Sequence, residues 1–274
     1  MRYLTLRLGA STAISRFAFL LALAGAHELH AQPDCHVDDF RGVYGAMGQG
    51  EFFGGPQVGP IPRISRVEAD GSGGLTLKST FSNSGVILRD ELVGNYSVNP
   101  DCSMLITLTL AGVQLGYVGG LADHSRTQES MLISPEGSNL RIELREQHKA
   151  TCSDQDLKGS YIVNLSGTNV FQMDKPLGTF ARFGRAEFDG NGNFTARTYA
   201  SYHGQIKPET FSGHYAVVAD CRFEMVYASL DDGSGPHDVP AVTWSGMLTD
   251  DSRAAFVLVS DPAGMAVVGK LKSQ

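Results

Sequence analysis

The chain has 274 residues, of which 42% are hydrophobic and 19% are charged, so it can bury the core of one large domain or of two small ones. Its formal net charge of −7 and the lack of a Lys- or Arg-rich stripe argue against a nucleic-acid partner and against docking on an anionic membrane. The 32 glycines are typical of a chain with many tight turns and short strands.

The N-terminal segment, residues 1–31, is predicted to be a secretory signal peptide. Three arginines give it a positive charge, and the mostly apolar run 17–26 is too short to span a bilayer. Cleavage after Ala31 is favoured over cleavage after Ala26, and an uncleaved anchor is the alternative. The mature chain is therefore expected to be exported, periplasmic or extracellular, with no integral membrane segment after signal removal.

The rest of the chain contains the same unit twice. Three blocks recur in the same order, namely Cys35, Asp39, Gly42 and Tyr44 as Cys152, Asp156, Gly159 and Tyr161; Arg66, Glu68, Asp70 and Gly71 as Arg185, Glu187, Asp189 and Gly190; and Gly94, Tyr96, Asp101 and Cys102 as Gly213, Tyr215, Asp220 and Cys221. The first block recurs at an offset of 117 residues and the other two at 119. Such a repeat predicts two domains, residues 32–150 and 151–274.

The four cysteines all lie in the predicted mature chain, where three pairings are possible. The repeat favours two disulfides, Cys35 with Cys102 and Cys152 with Cys221. Each would close a loop of roughly 70 residues and stabilise its unit by roughly 4 kcal/mol. A zinc site made from the four thiolates is the alternative, but closely spaced cysteine pairs are missing.

Short β-rich segments, separated by Gly, Asn, Asp and Pro, dominate after residue 31. In the first unit, strands are predicted at 42–47, 61–69, 75–81, 86–91, 94–98, 104–110, 130–133 and 140–144. In the second unit, they are predicted at 159–165, 178–188, 194–202, 210–218, 223–230, 239–248, 254–259 and 266–271. The Asp-Gly turns that begin at Asp70 and Asp189 are typical of hairpins.

This pattern predicts an all-β fold of two tandem antiparallel eight-stranded β-barrels of the calycin-like kind. Closing the sheet removes its edge strands, and a barrel of eight strands is either packed or able to hold one small ligand. An immunoglobulin-type sandwich is the alternative. It is disfavoured because the single tryptophan, Trp244, lies outside both predicted cysteine pairs.

The repeated motifs also indicate a family. The opening cysteine with Gly42-Val43-Tyr44, the turn Asp70-Gly71-Ser72-Gly73, and Gly94-Asn95-Tyr96-Ser97-Val98 followed by Asp101-Cys102 resemble exported bacterial proteins of uncharacterised function. The resemblance covers most of residues 35–274. It implies units similar to the barrels of the allene oxide cyclase-like and lipocalin-like superfamilies. No catalytic residue of the plant cyclases matches a position of this chain.

The polar residues that both units share are candidates for binding a ligand. Residues two apart on a strand share a face, so Arg66 lies with Glu68, and Arg185 lies with Glu187. If the apolar residues between them point inwards, these pairs are solvated. If they do not, a buried Arg–Glu pair could orient the polar head of a ligand.

Three further residues are candidate ligand contacts. Tyr161 and Tyr215 lie on strands, where a tyrosine usually packs in the core with its hydroxyl bonded, although it can also contact a ligand. His203 ends the segment 194–203, whose aromatic and polar content makes it the first place to expect a pocket. The histidines lack a spacing suited to a shared metal, and we predict neither a metal nor another cofactor.

No catalytic residue is predicted, because motifs for a nucleophilic serine or a phosphate-binding loop are missing. The favoured function is therefore non-enzymatic binding of a small apolar ligand or of an envelope partner. The alternative is an isomerase or cyclase that shapes an apolar substrate inside one barrel, which requires positioning rather than reactive groups. A third possibility is a surface-layer or adhesion module.

Overall fold

The computed structural model describes residues 34–54, 58–123, 126–171 and 177–274. The predicted signal peptide, residues 1–31, lies outside this part of the chain. The described residues all belong to one compact unit, Pro33–Gln274. Within them, no helix is long and apolar enough to cross a membrane.

The first barrel is a closed antiparallel sheet in the order β1-β10-β9-β8-β7-β6-β5-β4, with β4 paired to β1. Its strands are β1 (Arg41–Gln49), β4 (Arg63–Asp70), β5 (Gly74–Asn83), β6 (Val86–Val98), β7 (Ser103–Leu110), β8 (Val113–Ala122), β9 (Thr127–Ser134) and β10 (Arg141–Gln147). Two short strands, β2 (Glu51–Phe52) and β3 (Gly59–Pro60), form a separate ribbon after β1.

The second barrel follows the same up-and-down order from β11 to β18, with β18 paired to β11. Its strands are β11 (Lys158–Asn169), β12 (Gly178–Asp189), β13 (Asn193–Tyr202), β14 (Gln205–Val217), β15 (Arg222–Asp231), β16 (Pro236–Thr249), β17 (Ala254–Asp261) and β18 (Met265–Ser273). The predicted fold class, two tandem antiparallel eight-stranded barrels, is thus confirmed.

Two strand predictions in the first unit were wrong. The segments 86–91 and 94–98 are one continuous strand, β6, and β8 was not predicted. Both errors involve glycines within strands. A Cβ on Gly94 would lie 2.1 Å from the Thr107 carbonyl oxygen, and one on Gly119 would lie 2.1 Å from that of Glu129. These glycines therefore permit close approach of a neighbouring strand rather than ending a strand.

In each barrel, the segment before the first strand ends in a side chain that is buried in the core, Phe40 in the first and Leu157 in the second. It contains a short 3₁₀ helix, Val37–Asp39 in the first barrel and Asp154–Asp156 in the second. The tyrosine of the later Gly-x-Tyr motif holds this segment, because the Tyr215 hydroxyl donates a hydrogen bond of 2.7 Å to the Leu157 carbonyl oxygen. The first barrel has the same contact from Tyr96.

Two disulfides fasten the same segments to the turn after β6 or β14. Cys35 is bonded to Cys102, and Cys152 is bonded to Cys221, over sequence separations of 67 and 69 residues. These are the pairings that the repeat favoured, and each stays within one barrel. Two such bonds are typical of proteins from an oxidising compartment.

The two barrels pack through their outer faces. The first contributes β1, β4, β5 and β10, and the second contributes β16, β17, β18 and the short 3₁₀ helix Asp250–Ser252. A buried apolar cluster fills the contact, comprising Met47, Ile64, Phe256, Leu258 and Val268. Side chains of the second barrel pack directly on the backbone at Gly45, where a Cβ would lie 2.4 Å from the Thr249 methyl carbon.

Polar contacts border this apolar cluster. Lys270 Nζ donates to Glu143 Oε2 at 2.6 Å, and Arg145 Nη1 donates to Asp250 Oδ2 at 3.0 Å. Gly264 N also donates to the Gly85 carbonyl oxygen at 2.8 Å. The two barrels are therefore joined by apolar packing and by hydrogen bonds within one compact unit.

Candidate functional site

Both barrel interiors are filled with side chains. The first encloses a cavity of about 20 Å³ and the second a cavity of about 40 Å³. Because one water molecule needs roughly 10–15 Å³ of such space, these cavities have room for water but not for an ordinary organic ligand. In the second barrel, stacked and edge-on contacts among Phe211, Tyr227 and Trp244 occupy much of the interior.

A buried ion pair lies inside the second barrel. The Arg182 guanidinium is bonded to the Glu209 carboxylate, and Arg182 Nη1 donates to the Tyr227 hydroxyl at 3.1 Å. The Tyr202 hydroxyl donates to Glu209 Oε1 at 2.8 Å. Burial alone would lower the pKa of Arg182, but its attraction to Tyr227, Glu209 and Tyr202 outweighs burial and raises it. The Arg182 guanidinium is thus held in its charged form.

The first barrel has an equivalent pair, which the sequence analysis missed. Arg63 Nη2 lies 3.2 Å from Asp90 Oδ2 and donates to the Ser79 hydroxyl at 2.8 Å. Arg63 precedes Arg182 by 119 residues, and Asp90 precedes Glu209 by the same 119. A search for oppositely charged residues that keep this offset would have found both pairs.

The four shared polar residues that the sequence did single out face outwards. Ala186 and Phe188 are buried in the second barrel, so Arg185 and Glu187 form an ion pair on its outer surface, with about half of each side chain exposed. Arg66 and Glu68 are paired in the same way on the first barrel. Arg66 differs from Arg185 because the second barrel covers it, leaving its side chain 16% exposed.

The other candidate residues lie apart from one another. Tyr161 is buried, and its hydroxyl donates to the Ser252 carbonyl oxygen at 2.8 Å. Tyr215 holds the segment that ends at Leu157. His203 is exposed in the turn between β13 and β14, beside Gly178. The structure therefore does not bring these three side chains into one site.

A larger space lies between the barrels, as a cleft of about 540 Å³. One wall is formed by β4, β5 and β6, and the other is formed by β14, β15, β16 and the residues that follow β14. Its apolar lining includes Ile64, Ala216, Val218 and Met247. Charged residues also line the cleft, namely Arg66, Lys78, Arg89, Asp90, Glu91, Arg222 and Glu224. Of the predicted site residues, Arg66 is the one that lines this cleft.

The charges of the cleft come from both barrels. Arg89 Nη2 lies 3.8 Å from Glu224 Oε1 across the cleft, and both side chains are largely exposed. Arg222 Nη2 forms an ion pair with Asp220 Oδ2 at 2.7 Å. Burial lowers the pKa of Arg66, Asp220 opposes this effect, and the nearby Arg222 adds to it. Arg66 is thus a partly desolvated cation beside a second cation, an arrangement that favours an additional acceptor group.

The described histidine, cysteine and acidic side chains include no group of three or more that could hold a metal ion. The cleft offers arginine and lysine donors, carboxylate acceptors and apolar surface. Such a surface can bind and orient a small molecule.

Comparisons with known proteins add little to this geometry. No protein-family model matches the chain, and no curated protein matches it. Among solved structures, it is similar to a protein of unknown function from the DUF3598 family of Nostoc punctiforme, with 11% identity, a TM-score of 0.25, and coverage of 89% of this chain and 99% of that one. The architecture itself defines the class, a disulfide-containing tandem β-barrel protein of unknown function.

Proposed function

We propose that this protein is an exported binding protein whose small amphiphilic ligand occupies the cleft between the barrels. The observation that carries the proposal is the contrast in volume. The cleft offers about 540 Å³, whereas the cavities inside the barrels offer about 20 and 40 Å³. Small-molecule sites usually span about 300–1,000 Å³, so the cleft has the size of a ligand site and the interiors do not.

The lining suggests the chemistry of the ligand. Ile64, Val218 and Met247 would contact an apolar body, and the arginines Arg66 and Arg222 would donate hydrogen bonds to an acceptor such as a carboxylate or sulfonate. Donors with a fixed planar geometry suit such head groups. The proposed ligand is therefore amphiphilic, in contrast to the purely apolar ligand expected from the sequence.

The alternative function, a cyclase or isomerase of the allene oxide cyclase-like kind, has less support. It needs an apolar substrate inside one barrel, and the filled interiors leave no space of that size. An envelope partner remains compatible with the exposed outer faces.

The proposed location is the periplasm or the extracellular space. Two disulfides within the barrels and the apolar run near the N-terminus support it. Export can be tested by fractionating cells that express the tagged full chain. Recovery of the oxidised, shortened protein outside the cytosol is expected, and full-length protein confined to the cytosol would contradict the proposal.

Binding in the cleft can be tested with anilinonaphthalene sulfonate, a fluorescent probe with an aromatic body and one sulfonate. We expect saturable binding to the folded protein. Arg66→Ser should weaken it about 10- to 100-fold, because a hydrogen bond to a charged group contributes about 1.5–3 kcal/mol. Arg185→Ser is the matched control, since Arg185 occupies the same motif on the outer surface of the second barrel.

The two variants separate a specific site from adsorption. A loss of affinity in Arg66→Ser with wild-type affinity in Arg185→Ser supports the cleft. Equal affinity in all three proteins would show that the probe binds elsewhere and would contradict the proposal.

A further inference from the structure

The two barrels of one chain use different faces for their mutual contact. The first uses the outer face of β1, β4 and β5, with β10 at its edge, whereas the second uses that of β16, β17 and β18, which are equivalent to β8, β9 and β10. The contact is therefore heterologous, or head-to-tail. A heterologous contact leaves one face of each kind outside it. These are the β11–β13 face of the second barrel and the β8–β10 face of the first, although β10, at the edge of the latter face, also contacts β16 within the chain.

The β11–β13 face carries larger apolar side chains than its buried equivalent at two positions, while Asn164 takes the position of Met47. The pairing register places Ile162 at the position of Gly45 and Phe183 at the position of Ile64. Phe183 is 59% exposed, and Tyr199, which lies opposite it on β13, is 66% exposed. Two adjacent exposed aromatic side chains on one sheet face are typical of an interaction surface.

The β8–β10 face of the first barrel also differs in sequence from its equivalent, the β16–β18 face of the second. On this face, the positions equivalent to Met247, Thr249 and Leu258 are occupied by Gly120, Ala122 and Met131, respectively. This face also has a hollow of about 560 Å³, whose lining includes Val118, Glu129 and Met131.

The sizes of the residues on the two free faces are complementary. In the contact within the chain, a Cβ on Gly45 would lie 2.4 Å from Thr249 and 2.9 Å from Met247. On the free faces, Ile162 is larger than Gly45, and the residues equivalent to Thr249 and Met247 are smaller. The added side chain on one face would therefore meet added space on the other.

The charges are complementary as well. Glu129 is exposed and takes the position that Phe256 holds in the contact within the chain. On the β11–β13 face, Arg185 of β12 is paired with Ile162 of β11. Arg197 is also exposed and lies next to Arg185 across β12 and β13. An acidic residue would thus approach two cations.

We propose that the partner for these faces is a second copy of this chain, docked head-to-tail. Phe183 and Tyr199 of one copy would enter the hollow beside Met131 of the next. The chain itself is the partner that these observations favour, because the contact within the chain already joins the same two kinds of face. The association would continue as an open series or close into a ring. This proposal does not depend on ligand binding.

Sedimentation velocity of the full chain, over a range of concentrations up to about 1 mM, tests this association. The wild-type protein should shift from monomer to dimer and larger species. Phe183→Asp removes one face and Met131→Asp removes the other, so each variant alone should remain monomeric. An equimolar mixture of the two should form a dimer and nothing larger, because each variant retains one complementary face.

Leu110→Asp is the control, since Leu110 is an exposed residue of the β7–β8 hairpin outside both faces. It should associate as the wild type does. Circular dichroism of each variant verifies folding at these exposed positions. A wild-type protein that stays monomeric throughout, whether or not it binds lipid vesicles, would overturn the proposal. Self-association of Met131→Asp alone would also overturn it, because a symmetric contact between aromatic faces would then explain the assembly.

Discussion

Whether a charged side chain on a strand is buried or exposed in this protein depends on which face of the strand it occupies. Arg182 and Arg185 lie three residues apart on β12, so the alternation of the strand sends one inwards and the other outwards. Inside, Arg182 is surrounded by Glu209 and aromatic rings. Outside, Arg185 is half exposed beside Glu187. The same residue type therefore makes very different contributions to stability.

Removing the buried arginine should strongly destabilise the folded protein. Arg182→Met leaves the Glu209 carboxylate without its cation, and we expect the free energy of unfolding to fall by about 3–5 kcal/mol. Urea unfolding measured by the fluorescence of Trp244 gives this quantity. Arg185→Met, which breaks the exposed pair on the same strand, should change it by no more than about 1 kcal/mol.

A double variant separates the charge from the packing. Arg182→Met with Glu209→Leu removes both charges, and it should recover most of the lost stability, since apolar residues can replace a buried ion pair at little cost. If the double variant were as unstable as Arg182→Met alone, the cost would come from packing and the account of Arg182 would be wrong.

At the scale of elements, the contact between the barrels joins apolar strands through a border of ion pairs. Glu143 on β10 accepts hydrogen bonds from Arg145 on the same strand and from Lys270 on β18. Burial would raise the pKa of Glu143, but these two cations outweigh burial and lower it below its ordinary value of 4.5. Because the folded state holds this proton more weakly than the unfolded state, the ionised carboxylate stabilises folding.

The contact should therefore be sensitive to acid. The contribution of Glu143 is fully present above pH 4.5 and is lost as the pH falls through the lowered pKa. At pH 7, Glu143→Gln should reduce the free energy of unfolding by about 1–2 kcal/mol. Below pH 4.5, this difference should shrink steadily as the pH falls through the lowered pKa, as measured by urea unfolding at each pH.

The exposed residue Glu136, in the loop between β9 and β10, provides the control. Glu136→Gln should not change stability measurably at pH 7. A constant difference between the wild type and Glu143→Gln at every pH would contradict the assignment of this carboxylate.

Individual strands were largely predictable from the sequence, because alternation of apolar residues and Asp-Gly turns are local signals. All eight strands of the second barrel were predicted, with the ends of some displaced by several residues. The failures in β6 and β8 have a non-local cause. Gly94 and Gly119 interrupt the alternation, yet each is required by the backbone of the next strand. A single sequence does not reveal which strand will lie beside it.

At the scale of the whole molecule, the duplication predicted the two barrels but not the cleft. Arg66 and Arg185 lie in the same motif, and neither motif says that the second barrel covers Arg66 and leaves Arg185 exposed. That difference depends on how outer faces pack, and outer faces carry weak sequence signals. The buried pairs at Arg63 and Arg182 were detectable, since their partners keep the same offset.

We propose that the space between the barrels, and not the interior of either one, receives the ligand. The most direct test is the affinity of Ala216→Trp for anilinonaphthalene sulfonate, because Ala216 is an exposed residue of the cleft wall and a tryptophan there would fill the space. Ser97→Trp is the matched control, since Ser97 precedes Ala216 by the repeat offset of 119 residues and lies outside the cleft. We predict binding at least about tenfold weaker in Ala216→Trp and unchanged in Ser97→Trp. Wild-type affinity in a folded Ala216→Trp protein would contradict the claim.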